Sequence, residues 1–146
     1  MKVEIRKARK KDLKKIDEIF RVEYLKWPYN EKWSKKLSFA KIKKYFDKSF
    51  MFILNVGGEM AGFIIGHIDL WDRGKVGYMD EVVVSQKFQG KNYGKMLMNH
   101  LNKHFKKYNI KNLDLITNPK SKAYKIYKKM GFKELKDFTY MTKKIK

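Results

Sequence analysis

The sequence predicts a mixed α/β (α+β) fold: a single domain over residues 1–146, with a mostly antiparallel central sheet flanked by helices. Three observations predict it. Apolar residues return at helical spacing in two separated stretches, Leu13, Ile16, Ile19 and Phe20, then Tyr93, Leu97, Leu101, Phe105 and Tyr108. Between them, runs rich in Val, Ile, Phe and Met flank the pair Gly57-Gly58, the pattern of a hairpin. No Pro/Gly/Ser-rich linker and no internal repeat divides the chain, and 146 residues suit one core better than two.

In chain order, Val3 to Arg6 reads as a strand, and Lys11-Asp12-Leu13 opens a helix that Pro28 helps to stop. A second helical stretch runs from Glu31 to Asp47, with Trp33, Leu37, Ala40 and Phe46 as candidate core positions. Phe50 to Val56 and Met60 to Leu70 are hairpin strands around the glycine pair, and Lys75 to Val84 adds a third after the turn at Asp72-Arg73-Gly74. A helix follows from Tyr93 to Lys107, then a strand from Lys111 to Thr117. A short helix from Ser121 to Met130 is closed by Gly131, and a final pair of short strands begins at Phe132.

Composition bounds the function classes. Ten Phe, nine Tyr and three Trp supply more core than a disordered chain carries. With no cysteine, disulfides, thiolate metal sites and a cysteine nucleophile are excluded. There is no apolar run of the roughly 18 residues that would span a bilayer, and the first residues lack the apolar stretch of a signal peptide, so a cytoplasmic protein without a membrane partner is expected. The formal charge of +21 raises nucleic acid as a partner. Against specific nucleic-acid binding, the lysines are scattered and the arginines are only Arg6, Arg9, Arg21 and Arg73, so bidentate phosphate or base contacts are scarce.

The most informative stretch is Val82-Val83-Val84-Ser85-Gln86-Lys87-Phe88-Gln89-Gly90-Lys91-Asn92-Tyr93-Gly94-Lys95, a strand feeding a polar turn and then a helix. A helix start presents unpaired N–H groups and the positive end of a dipole, and Gly90 and Gly94 let a pyrophosphate come close. Read without further context, the same turn is an ordinary flexible strand-to-helix connection.

This stretch resembles the acetyl-CoA loop of the GNAT acetyltransferase superfamily, which reads Gln or Arg, two residues, Gly, any residue, then Gly or Ala. Gln89 and Gly94 match, and Asn92 stands where the family usually has its first glycine. Asn tolerates left-handed backbone geometry better than most residues. The resemblance implies that Gln89, Gly90, Lys91, Asn92, Tyr93, Gly94 and Lys95 hold the cofactor phosphates. It also implies that the backbone of Val82, Val83 and Val84 runs beside the pantetheine arm and polarises the thioester carbonyl.

A second segment, Ala123-Tyr124-Lys125-Ile126-Tyr127-Lys128-Lys129-Met130-Gly131-Phe132, resembles the family pattern of Ala, three residues, Tyr, any, Lys, any, Gly-Phe at every fixed position. Together the two segments extend the resemblance over residues 75 to 135. By that resemblance Tyr127 is the proton donor to the departing coenzyme A thiolate, with packing of a short amphipathic helix as its other reading. Asn118 resembles a cofactor-contacting asparagine, although it lies two residues farther from Ala123 than the common spacing. Beside Pro119 it reads equally well as turn chemistry.

The implied activity is transfer of the acetyl group of acetyl-CoA to a primary amine, with no metal. An alkylamine titrates near about 10 and must shed a proton before it attacks. Asp80 and Glu81, at the strand end leading into the cofactor loop, are the candidate catalytic bases, and Asp114 is a third. Strand alternation sends Asp80 and Glu81 to opposite faces. His67 reads as an acceptor-site lining residue or a satisfied strand residue, and His100 and His104, one turn apart, as a solvated helix face. Trp27, Tyr29 and Trp33 are pocket or core. The acceptor is an amine of unknown identity, and a homodimer is compatible with the resemblance. The competing classes are a basic nucleic-acid-binding module and a non-catalytic acyl-CoA-binding module.

Overall fold

A computed structural model describes residues 1–145, which fall into two compact units, Met1–Ile116 and a second that starts at Thr117. The first holds five strands, β1 (Val3–Lys7), β2 (Phe50–Val56), β3 (Glu59–Trp71), β4 (Gly74–Val84) and β5 (Leu113–Asp114), in the order β1-β2-β3-β4-β5. The first four pair antiparallel, and β5 joins β4 in parallel through Gly77↔Leu113 and Tyr78↔Asp114. This is the mixed, mostly antiparallel sheet expected. Its helices are α1 (Leu13–Tyr24), α2 (Lys35–Lys48) and α3 (Tyr93–Lys106), and the second unit carries α4 (Lys122–Lys129).

The helical stripe Leu13, Ile16, Ile19 and Phe20 of α1 packs with Ile42 of α2 onto Met51, Ile53, Phe63, Ile65 and Val83 of the sheet. Alternation turns the intervening residues to the opposite face, where α3 lies close. A Cβ on Gly77 would stand 2.7 Å from the Phe105 ring, so the bare glycine is what lets α3 approach β4. Leu97, Met98, Leu101 and Phe105 are buried there, and Tyr108, expected in the same stripe, is exposed.

Four expectations are corrected. The second helix starts at Lys35, because Ser34 caps it by accepting the Leu37 N–H at 3.1 Å; Leu37 and Ala40 are exposed and Ser38 and Ile42 are the buried positions. The strand expected over residues 111–117 is the two-residue β5, and residues 132–145 form no strand. His100 and His104 do not form a solvated face. They pack edge-on against β2, His100 on Phe52 at 4.6 Å and His104 on Phe50 at 4.4 Å between ring centroids.

That packing has a consequence in acid. Burial lowers the pKa of both histidines, with Lys107 adding to it, and His104 Nε2 is buried with no hydrogen-bond partner. A histidine whose folded pKa lies below its unfolded value, about 6.5, contributes stability that is present above that value and is lost as the pH falls through the folded pKa. Thermal melts from pH 7.5 to 5 should therefore show a declining midpoint, and a His100→Gln/His104→Gln double variant should show a shallower decline.

Candidate active site

Strand β4 carries two irregularities. Along β3, Ile65 pairs with Glu81 but Gly66 pairs with Met79, so Asp80 is an extra residue, a β-bulge. On the other side the ladder with β5 stops at Tyr78↔Asp114, and Met79 to Val84 have no strand partner there. The N–H and C=O of Val83 turn to β3, so the peptide groups left on that edge are those of Val82 and the N–H of Val84, available to something other than a strand. Val83 turns its side chain into the core shared with α1 and α2.

The chain leaves β4 through a 3-10 turn, Gln86–Phe88, and enters α3 at Tyr93. Gly90 has φ +79°, and Asn92, the N-cap of α3, is left-handed at φ +65°. Asparagine therefore supplies the conformation that a glycine at this place would supply. The Asn92 side chain makes no cap hydrogen bond and no acidic residue stands in the first turn, so the helix start is not neutralised from within the chain. A Cβ on Gly94 would touch only Val84 Cγ2, at an ordinary 3.8 Å; packing does not demand this glycine, and its bare backbone is open to a ligand. Gln89 holds the loop by donating from Nε2 to the Val84 carbonyl at 2.8 Å and to Glu23 of α1 at 3.0 Å. Lys91 and Lys95 flank the turn with positive charge.

The bulge shifts alternation by one residue, which overturns the expectation that Asp80 and Glu81 face opposite ways. Glu81 reaches Tyr45 of α2, and Asp80 reaches His67, which alternation places on the same face of β3 as Ile65 in the core under α1 and α2, so both sit on that side. Glu81 accepts the hydroxyls of Tyr24, on Oε1, and Tyr45, on Oε2 at 3.0 Å. Asp80 Oδ2 lies 2.7 Å from His67 Nδ1. Burial raises both carboxyls; the tyrosine hydroxyls oppose this at Glu81 and His67 opposes it at Asp80. Lys41 Nζ stands over the rings of Trp33 and Tyr45, 5.6 and 5.2 Å from their centroids.

The sequence reading did not single out Tyr24, Lys41 or Tyr45. The i,i+4 spacing of Lys41 and Tyr45 put them on one helical face, but only the tertiary fold brings that face to β4. Of the acceptor-side aromatics, Trp33 packs on Phe20 at 5.3 Å, Tyr29 on Tyr24 at 4.9 Å, and Trp27 is exposed. Asp114 takes an Arg73 hydrogen bond at 3.1 Å. Among the described residues no three His, Cys, Asp or Glu side chains gather as a metal site, and no helix is long and apolar enough to cross a membrane.

In the second unit, Ser121 caps α4 by accepting the Tyr124 N–H, and Gly131 ends it in the left-handed region. Tyr127 is buried, with its ring edge-on to Phe132 at 5.7 Å. Tyr124 instead donates to Glu134 under the Lys128 ammonium. Asn118 makes a turn, its Oδ1 accepting the Lys120 N–H at 2.8 Å and its carbonyl accepting Ser121.

A β4 edge without a partner, running into a glycine-bearing helix start, is the arrangement of an acyl-CoA transferase. The model of the acetyltransferase (GNAT) family matches residues 13–132, and the chain belongs to that family and is an acyltransferase. Three solved structures share the fold. A possible acetyltransferase from Clostridium difficile 630 has TM-score 0.85 and 18% identity over 99% of both chains. A predicted acetyltransferase with acetyl-CoA from Clostridium acetobutylicum has TM-score 0.79 and 14% identity over 97% of this chain and 96% of that one. An aminoglycoside N-acetyltransferase in complex with CoA has TM-score 0.77 and 18% identity over 99% and 96%. A search of the curated proteins finds no match.

Proposed function

We propose that the protein moves the acetyl group of acetyl-CoA to a primary amine by direct transfer in a ternary complex. The observation that carries this is the free β4 edge leading into the unneutralised start of α3. The N–H groups from Gly90 to Lys95 receive the pyrophosphate, and the edge of Val82 to Val84 pairs with the pantetheine arm and polarises the thioester. Solved relatives in complex with CoA and with acetyl-CoA support the same cosubstrate here.

The corner around Asp80 and Glu81 receives the amine, which gives up its proton there, and Tyr127 assists departure of the thiolate. Two half-buried carboxyls and the faces of Tyr45 and Trp33 suit an ammonium group. The nitrogen lone pair forms the C–N bond as the C–S bond breaks, and the sulfur takes up one proton while the nitrogen sheds another. No acetyl-enzyme intermediate is involved.

The test is release of free thiol from acetyl-CoA in the presence of spermidine, an aminoglycoside, or a peptide with a free N-terminus and a lysine. Amine-dependent release with at least one of these, together with the acetylated amine by mass spectrometry, is the expected result. Release at the amine-free rate with all of them counts against the proposal.

A further inference from the structure

The two carboxylates at the bulge differ in what their oxygens already do. Glu81 has both oxygens on tyrosine hydroxyls, so it is an anchor between α1, α2 and β4. Asp80 has Oδ2 on a ring nitrogen of His67, and of that pair His67 is the outer member, its side chain 36% exposed against 12% for Asp80. In the neutral tautomer whose Nδ1–H donates to an Asp80 carboxylate, which can only accept, Nε2 carries the lone pair. His67 lies opposite Tyr78 in the β3–β4 register, and the two rings stack 5.2 Å apart. The ring is therefore held by one carboxylate and one aromatic neighbour.

We propose that His67 is the base that removes the proton from the acceptor ammonium, with Asp80 as its positioning residue. The inference rests on the acetyl-transfer reading and names the proton acceptor within that site. The ammonium proton passes to Nε2, and the imidazolium that forms is stabilised through its Nδ1–H by the Asp80 carboxylate before the proton goes on to solvent. The neutral amine then attacks as described above. The sequence could not give this pairing, because His67 and Asp80 are thirteen positions apart and meet only through the β3–β4 register and its bulge.

The titratable groups against His67 are Asp80 and Tyr78 of β4, and Glu81 of β4 and Lys41 and Tyr45 of α2 lie around Asp80. Burial, reinforced by the carboxylates, raises both tyrosines, so neither changes charge near neutrality.

The experiment is the pH profile of kcat/KM for the wild type and for His67→Gln, His67→Asn and Asp80→Asn, with the amine that turns over in the thiol-release assay. Thermal melts with acetyl-CoA are run on the same proteins. The wild type should gain activity with pH along a limb set by one group. Both His67 variants should lose that limb and about 10²-fold or more in rate while keeping the acetyl-CoA shift. Asp80→Asn should lower kcat by about tenfold or more with the KM for acetyl-CoA unchanged, because the ring loses the carboxylate that orients it. A wild type with neither shift nor turnover removes the transfer reading and this inference together. A wild type that binds and turns over, with His67 variants that keep its limb and rate, removes the assignment of His67 alone.

Discussion

Tyr127→Phe should lower kcat by about 10²-fold or more and leave stabilisation by acetyl-CoA unchanged, because a positioned general acid contributes about 10²- to 10⁴-fold. Tyr127 is buried with its ring edge-on to Phe132, and phenylalanine keeps that packing while removing only the hydroxyl. A melt of the variant close to that of the wild type would show that the ring, not the hydroxyl, carries its packing. Turnover unchanged across pH with the fold intact would assign Tyr127 to packing alone. Steady-state rates with saturating acetyl-CoA decide between these outcomes, since a binding defect would appear in KM instead.

The largest effect on stability should come from Asp12→Ala. Asp12 follows β1 and is buried, with Arg6 NH1 and NH2 reaching its two oxygens at 2.8 and 2.9 Å and the Arg9 N–H donating at 2.7 Å. Removing one partner of such a pair leaves a guanidinium that is four-fifths covered without its counter-ion, which costs about 3–5 kcal/mol. In a chain of this length that lowers the melting midpoint by about 6–20 °C. The sign with pH follows from the Arg6 hydrogen bond, which holds the Asp12 carboxyl below its ordinary range. A carboxyl with a lowered folded pKa contributes stability above its unfolded pKa, near about 3.9, and loses it as pH falls through the folded value. The gap between wild type and variant should therefore be wide at pH 7 and narrow toward pH 3. A midpoint within a few degrees of the wild type at pH 7 would mean that Arg6 finds another partner.

What could be read in advance was what local chemistry determines. The Gly57-Gly58 turn fixes the β2–β3 hairpin, and the strand read as Phe50 to Val56 is found with those bounds. The glycines and Asn92 between Val84 and α3 mark the loop, and Asn92 takes the left-handed conformation its chemistry allows. Tertiary effects were not legible. A one-residue bulge leaves no periodic trace, so Asp80 and Glu81 read as opposed when both turn toward α2. The face of α2 that packs is chosen by the sheet, which buries Ser38 and Ile42 and leaves the apolar Leu37 in water. The early end of β5 reflects its divergence from β4, a property of the pair that no pattern in residues 111–117 records.

On the proposed function, the β4 edge and the start of α3 form an acetyl-CoA site. A thermal melt with and without saturating acetyl-CoA, at moderate salt and with ATP as a polyanion control, tests it most directly. At a hundredfold excess over Kd a specific ligand stabilises by about 2.7 kcal/mol, which for this size of chain is about 5–10 °C. The expected result is a shift of that order with acetyl-CoA, well beyond that with ATP. No shift, or an equal shift with ATP, would reduce the site to a basic surface that attracts phosphates and contradict the account.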